Sequence, residues 1–201
     1  MSIVAAAALA YDRRVPHLQI FIASTRQDRK GDAVARWFEQ QARAHGTFEI
    51  EVVDLAEVNL PMMDEPEHPR FRKYQHEHTK QWSARVSRAD AFVFVTPEYN
   101  FSSPPSLVNA MDYLAHEWAY KAVGFVSYGG ASGGTRSVQM IKLTASALRM
   151  VPLTEAVSLP FFTKYFNADG AFAPDDTQGK AATVMLDELL RWTNALKALR
   201  S

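Results

Sequence analysis

The sequence predicts an α/β fold in which a doubly wound, five-stranded parallel sheet of strand order 2-1-3-4-5 carries helices on both faces. Three observations support it. Short apolar runs alternate with stretches whose apolar residues recur at helical spacing. No linker-like composition divides the 201 residues, a length at which one core can bury roughly 70% of the unfolded surface. The segments after the first, third and fourth apolar runs are the most distinctive in the chain, and that strand order places all three at one crevice, their strands about 4.8 Å apart.

Residues 3–10 form an apolar run with no basic residue before it, too short to span a bilayer. Residues 1–16 are therefore read as an N-terminal extension and 17–201 as a single domain. Leu18 to Ala23 reads as the first strand, and Gly31 to His45, with Val34, Phe38 and Ala42 at helical spacing, as the first helix. Phe48 to Val53 is the second strand. Residues 54–74 hold Pro61, Pro66, Pro69 and many charges, which forbids a long regular element and marks a surface excursion suited to a lid or an interface. Gln75 to Arg88 is helical and Ala91 to Thr96 is a buried strand. Ser106 to His116 follows as a helix with Leu107, Ala110, Met111 and Leu114 on one face, Ser102 or Ser103 as its cap, and prolines in its first turn. Ala122 to Ser127 is the fourth strand, Gly133 to Met150 a helix with Val138, Ile141, Ala145 and Leu148 inward, and Thr154 to Leu159 the fifth strand. A last helix runs from about Asp176 with Met185, Leu189, Trp192, Leu196 and Leu199 in line.

Composition narrows the function. Twenty-two basic and 22 acidic side chains cancel, so no overall field attracts nucleic acid or an anionic membrane. There is no cysteine, which removes disulfides, thiolate metal sites and a Cys nucleophile, and fits a reducing, cytoplasmic compartment.

The three crevice segments each carry recognisable chemistry. Ser24-Thr25-Arg26-Gln27-Asp28-Arg29-Lys30-Gly31 offers two hydroxyls, guanidinium groups and helix N-terminal amides, a donor set for one phosphate. Neither G-x-x-x-x-G-K-[ST] nor G-x-G-x-x-G is present, which argues against a triphosphate loop or a standard dinucleotide turn. Pro97-Glu98-Tyr99-Asn100 sets an aromatic ring and an amide beside exposed backbone groups, suited to a flat heterocycle. Ser127-Tyr128-Gly129-Gly130-Ala131-Ser132-Gly133-Gly134 has a backbone that can approach a ligand without Cβ obstruction. Singly, each is ordinary turn chemistry. Their meeting at adjacent sheet ends is not.

Two other patterns compete. Gly130-Ala131-Ser132-Gly133-Gly134 matches the G-x-S-x-G nucleophile elbow of serine hydrolases, yet all six histidines precede Ser132, against the chain order that such a triad needs. His76-Glu77-His78, with Glu65, Glu67 and His68 upstream, suggests a metal, but i,i+2 histidines on a helix diverge; the cluster reads as surface, bordering the substrate mouth with Tyr74 and Trp82. No metal is expected. Trp37, Trp118 and Trp192 read as core or subunit-interface residues.

The crevice residues resemble the NAD(P)H-dependent FMN reductases, flavodoxin-like enzymes that include quinone and chromate reductases. Ser24-Thr25-Arg26 is similar to the family's phosphate loop, usually Gly-Ser-x-Arg, with Ala23 where glycine is usual and Arg29 and Gly31 where Ser and Asn often stand. Pro97-Glu98-Tyr99-Asn100, followed by Pro104, Leu107, Asn109, Ala110 and Asp112, resembles its ring motif P-E-Y-N-x-x-x-P-x-x-L-x-N-A-x-D. Ser127, Gly130 and Gly133-Gly134 resemble its glycine loop, and the match spans roughly Gln19 to Pro152. The resemblance implies a flavodoxin-like fold, FMN as cofactor, NADPH or NADH as co-substrate, and hydride passed through the flavin to a small acceptor such as a flavin or a quinone, without a catalytic side chain. It assigns the phosphate to Ser24, Thr25, Arg26, Arg29 and Gly31, and the ring to Pro97, Glu98, Tyr99 and Asn100 on one side and Ser127, Tyr128, Gly129 and Gly130 on the other. Ring donors are expected from amides near Glu98, Asn100, Gly129 and Gly130, with the Glu98 carboxylate turned to the surface or a partner subunit. The family also implies a homodimer or tetramer built on the helix after the Pro-Glu-Tyr-Asn turn. A non-enzyme alternative is a flavodoxin-type electron carrier; such carriers dock through a strongly charged face, which the zero net charge disfavours.

Overall fold

A computed structural model of the chain describes residues 14–200. The expected extension, residues 1–16, lies almost wholly outside them. The elements are β1 (His17–Ile22), α1 (Gly31–His45), β2 (Glu49–Asp54), α2 (Leu55–Val58), α3 (Glu77–Ser87), β3 (Ala91–Pro97), α4 (Pro105–Asp112), β4 (Ala122–Tyr128), α5 (Thr135–Ala147), β5 (Val151–Leu159) and α6 (Asp176–Leu196). All strand pairs are parallel and the order is β2-β1-β3-β4-β5, as expected.

The period of two along each strand sorts side chains by shape. Leu18, Ile20, Ile22, Val93, Val95 and Val126 point to one face, where α1 sets Val34 and Phe38 and α6 sets Met185, Leu186 and Leu189 against them. Phe21, Phe92, Phe94 and Phe125 point to the other, under α3, α4 and α5. Trp118 sits at the centre of this aromatic layer. It is fully buried, its ring centroid lies 5.0 Å from that of Phe92, and its Nε1 donates to Met111 O at 3.1 Å. Gly124 keeps α6 close to the sheet, since a Cβ there would come within 2.9 Å of Met185 Sδ.

Several boundaries differ from expectation for identifiable reasons. α5 starts at Thr135 because Gly133 and Gly134 adopt φ of 59° and 80° and form its entry turn. α4 stops at Asp112, and the chain beyond it turns to bring Trp118 into the core. Neither Ser102 nor Ser103 caps α4. Ser103 Oγ bonds instead to Ser137, at 2.9 Å to Oγ and 3.1 Å to O. β5 begins at Val151 and takes in Pro152, which an edge strand tolerates, beside a register shift between Val123 and Phe125. Trp37 and Trp118 are core residues, whereas Trp192 is 43% exposed and Leu199 57%.

Residues 54–74 form a strap tied down by Asn109 and Tyr113. Asn109 brackets it, accepting from Met63 N at 2.9 Å and donating to Pro61 O at 2.8 Å, and Tyr113 OH donates to Asp64 Oδ1 at 2.9 Å. His78 Nε2 lies 3.0 Å from Asp64 Oδ1 and the stacked His76 ring reaches Asp64 O, so His76 and His78 brace this strap. Trp82 is buried and donates to Ala110 O, and Tyr74 OH donates to Glu117. Among the described residues no group of three metal-ligating side chains occurs, and no helix is long and apolar enough to cross a membrane.

Lys121, at the entry to β4, is 6% exposed and donates to Val86 O and Ser87 O at 3.1 and 3.3 Å. Burial, reinforced by Arg200 and only partly offset by Asp90 and Glu117, brings its pKa down to about 8. An unfolded lysine titrates near 10.4. Below about pH 8 both states hold the proton and the cost of a buried charge is fully present; between about 8 and 10.4 the unfolded chain binds more protons, so stability rises with pH. Two expectations follow. The stability gap between Lys121→Met and wild type, read by urea unfolding, shifts toward wild type by pH 10, and Trp118→Ala lowers the unfolding free energy by about 3–5 kcal/mol.

Candidate cofactor site

A cleft of about 420 Å³ opens at the C-terminal ends of the strands, within the size range of small-molecule sites. Four loops wall it: Ser24 and residues 26–30 after β1, Pro97 to Tyr99 after β3, Tyr128 to Gly130 after β4, and Phe161 to Thr163 after β5. None of the strap residues 54–74 lines it. The strand order explains the position, because β1 leads back to β2 and β3 leads on to β4, and their loops diverge above the junction.

Of the residues expected from sequence, Ser24, Arg26, Arg29, Pro97, Glu98, Tyr99, Tyr128, Gly129 and Gly130 line this cleft. Thr25, Gly31, Asn100 and Ser127 do not. Thr25 opens into a separate pocket of about 370 Å³ beside α4. Ser127 is 1% exposed, inside β4. Gly31 has a packing reason, since a Cβ on it would meet Tyr128 Oη at 2.3 Å. Tyr128 itself is buried, and burial pushes its hydroxyl pKa well up.

In the first loop, Ser24 Oγ lies 2.6 Å from Tyr99 Oη, and the Arg26 guanidinium sits 5.8 Å from the Tyr99 ring centroid. Arg29 departs from the expected phosphate role. Its guanidinium pairs with Asp54 and donates to Ser24 O at 3.1 Å, tying the ends of β1 and β2 together. Arg26 has no carboxylate within ion-pair distance among the described residues, and Lys30 extends beside Phe166, 5.9 Å from its centroid. α1 starts at Gly31 without a side-chain cap, leaving first-turn amides for an anion.

The second loop is a reversal. Tyr99 and Ser102 exchange both backbone hydrogen bonds at 2.9 Å, and Asn100 and Phe101 between them have φ of 50° and 68°, the signs of a type I′ turn. Asn100 is thereby carried to the surface. Glu98 contradicts expectation more sharply. Its side chain is only 9% exposed and is turned inward, accepting from Ser132 Oγ at 2.7 Å and from Arg136 Nε at 2.6 Å. Burial alone would raise its pKa, but these two partners outweigh it and hold the carboxyl below its ordinary value. The same contact disposes of the hydrolase reading, since the Ser132 hydroxyl is committed to a carboxylate while the six histidines bond elsewhere.

The fourth wall was not expected. Phe161 N donates to Gly130 O at 2.9 Å and Phe162 N to Gly129 O at 3.2 Å, bolting the β5 loop to the glycine loop. The signal in sequence is Pro160-Phe161-Phe162, apolar residues placed directly after a strand. Gly129 N–H is also engaged, with Leu159 O at 3.3 Å, so of the amides expected to face a ring that one is already used.

A parallel sheet with an uncapped helix and an unpaired cation at one end of its switch-point cleft, and a Cβ-free loop at the other, defines a binder of a phosphorylated cofactor with the flavodoxin-like topology. The profile of the NADPH-dependent FMN reductases matches residues 16–164, and the chain belongs to that family. An NAD(P)H-dependent FMN reductase of Schizosaccharomyces pombe is 40% identical over 149 residues, 72% of this chain and 74% of its own. One from a Nectria species is 30% identical over 192 residues, 90% of this chain and 96% of that one. Among solved structures, the flavoenzyme FerB, an NAD(P)H:(acceptor) oxidoreductase from Paracoccus denitrificans, shares the fold with a TM-score of 0.71 at 20% identity, over 90% of this chain and 98% of that chain.

Because a Cβ on Gly31 would meet the Tyr128 hydroxyl, Gly31→Ala costs about 1–3 kcal/mol through overpacking. Combining it with Tyr128→Phe restores most of that loss in chemical unfolding, and a pair of costs that simply add would contradict the assignment.

Proposed function

We propose that this protein is an FMN-dependent NAD(P)H oxidoreductase that passes reducing equivalents to a small acceptor such as a flavin or a quinone. The observation that carries this reading is the single cleft in which the Pro97-Glu98-Tyr99 turn, the Gly129-Gly130 backbone and the unpaired Arg26 meet. FMN fits that donor set. When bound, it supplies the redox chemistry between the nicotinamide and the acceptor.

The protein's own residues bind and orient. Arg26, with the first-turn amides of α1 and the Lys30 ammonium, supplies the charge that a phosphate needs. Ser24 and Tyr99, bonded to each other, fix the boundary between the phosphate end and the ring end. Gly130, whose Cβ position has no neighbour within 4 Å, leaves its backbone open to a ring edge. Asn100, Thr25, Ser127 and Gly31 act behind these contacts, shaping the loops, and Arg29 holds the seat together through Asp54.

One feature supports self-association as a homodimer or tetramer: α5 exposes Met140 and Leu143, the latter 67% exposed, whereas Leu107, Ala110 and Met111 of α4, the helix on which association was expected, are consumed by the chain's own core. A cytoplasmic location agrees with the lack of cysteine.

The purified protein is expected to bind FMN and to oxidise NADPH or NADH when a quinone is supplied. Arg26→Ala weakens FMN binding by about 2 kcal/mol through loss of a charge-assisted contact, and leaves the affinity for riboflavin, which has no phosphate, as in wild type. Flavin fluorescence titrations measure both; equal loss for the two flavins would place Arg26 at the ring instead.

A further inference from the structure

Ser132 is what remains of the apparent nucleophile elbow, and its true partner is Glu98. Four observations converge on that pair. The Glu98 carboxylate, 9% exposed, accepts Ser132 Oγ on Oε2 at 2.7 Å and Arg136 Nε on Oε1 at 2.6 Å, so each oxygen has its own donor. Ser132 Oγ also accepts from Gly134 N at 3.4 Å, the last turn residue before α5. The Arg136 guanidinium lies 3.9 Å from the Phe101 ring centroid, reaching back over the turn that follows Tyr99. Glu98 itself lines the cleft, between Pro97 and Tyr99.

Among the described residues no backbone hydrogen bond links residues 98–102 to 129–134, so these contacts join the two loops. Strand pairing brings Pro97 beside Tyr128, but it ends there, and both chains continue as irregular backbone. A buried carboxylate facing an electron-rich ring would oppose binding unless neutralised. Here the Arg136 guanidinium neutralises it and the Ser132 hydroxyl donates to it, so the same contacts tie the β3 and β4 loops together.

We propose that Glu98, Ser132 and Arg136 form a clamp of positioning residues that fixes the separation of the two ring-facing loops and so sets affinity for the flavin ring, independently of the phosphate end. The inference rests on the FMN reading above. It assigns to Ser132 and Arg136, outside the cleft lining, a role in specificity for the tricycle.

The test uses FMN and riboflavin as paired probes on the full chain. Ser132→Ala and Arg136→Met are expected to weaken both flavins by the same factor, fivefold or more, because both share the ring and only one carries the phosphate. Adding Glu98→Gln to Arg136→Met recovers affinity by removing the charge left unpaired, a rescue that a general loss of structure would not show. Wild-type affinity for both flavins in Ser132→Ala and Arg136→Met overturns the clamp, as does loss confined to FMN, which would make Arg136 a phosphate contact. A wild-type protein that binds neither flavin overturns the FMN reading itself, and is told apart because it fails before any substitution is made.

Discussion

The constraint on which this structure depends is that β3 and β4 are buried along their whole length on both faces. Strands that contact helices above and below have no side on which to display chemistry, so polar function is pushed to their ends. Every buried position there is apolar or, as with Thr96 and Ser127, hydrogen-bonded locally or enclosed. Backbone leaves the ladder at both edges, but the loops that diverge at the junction of β1 and β3 are those of the C-terminal edge. Position in the sheet therefore selects the site before any residue type is considered.

Within that edge, electrostatics is arranged by subtraction. Two of the three guanidinium groups around the cleft are paired, Arg29 with Asp54 and Arg136 with Glu98, whereas Arg26 has no carboxylate partner among the described residues. Each pair also has a mechanical consequence. Arg29 joins the β1 loop to the end of β2, where Asp54 also caps α2 by accepting from Ala56 N at 2.9 Å, and Arg136 joins the β3 loop to α5. A site built so leaves Arg26 and Lys30 without a carboxylate partner among the described residues while its walls are held by neutralised charge, which costs less than burying either partner alone.

Much of this was legible in the sequence. Strand and helix periods fixed the topology, and the limits of α1 coincide with those expected because Gly46, at φ 75°, ends the helix where its sequence says it should. What failed to read was pairing at a distance. Arg29 looked like a phosphate ligand because nothing local revealed Asp54, and Glu98 looked surface-bound because its repulsion from a ring was weighed without Arg136. Gly31 looked like a cradle because glycine is ambiguous between ligand approach and packing until the Tyr128 hydroxyl is seen beside it. The β5 loop was missed for a topological reason: only the loops after the first, third and fourth strands were placed at the crevice, yet the return from β5 to α6 passes over the glycine loop.

The turn after Tyr99 shows why these distant partners matter to the site's shape. Asn accepts a left-handed conformation readily, but Phe101 at φ 68° is strained by an amount of order 1–3 kcal/mol. The two backbone hydrogen bonds between Tyr99 and Ser102 return about 0.5–1.5 kcal/mol each, and the Arg136 contact with the Phe101 ring about 0.5–1 kcal/mol at an exposed position. Strain and support are thus nearly equal. The turn holds its form because Arg136 is held by Glu98 on one side and Phe101 on the other, so this wall of the cleft is a joint property of two loops that chain order separates by some thirty residues.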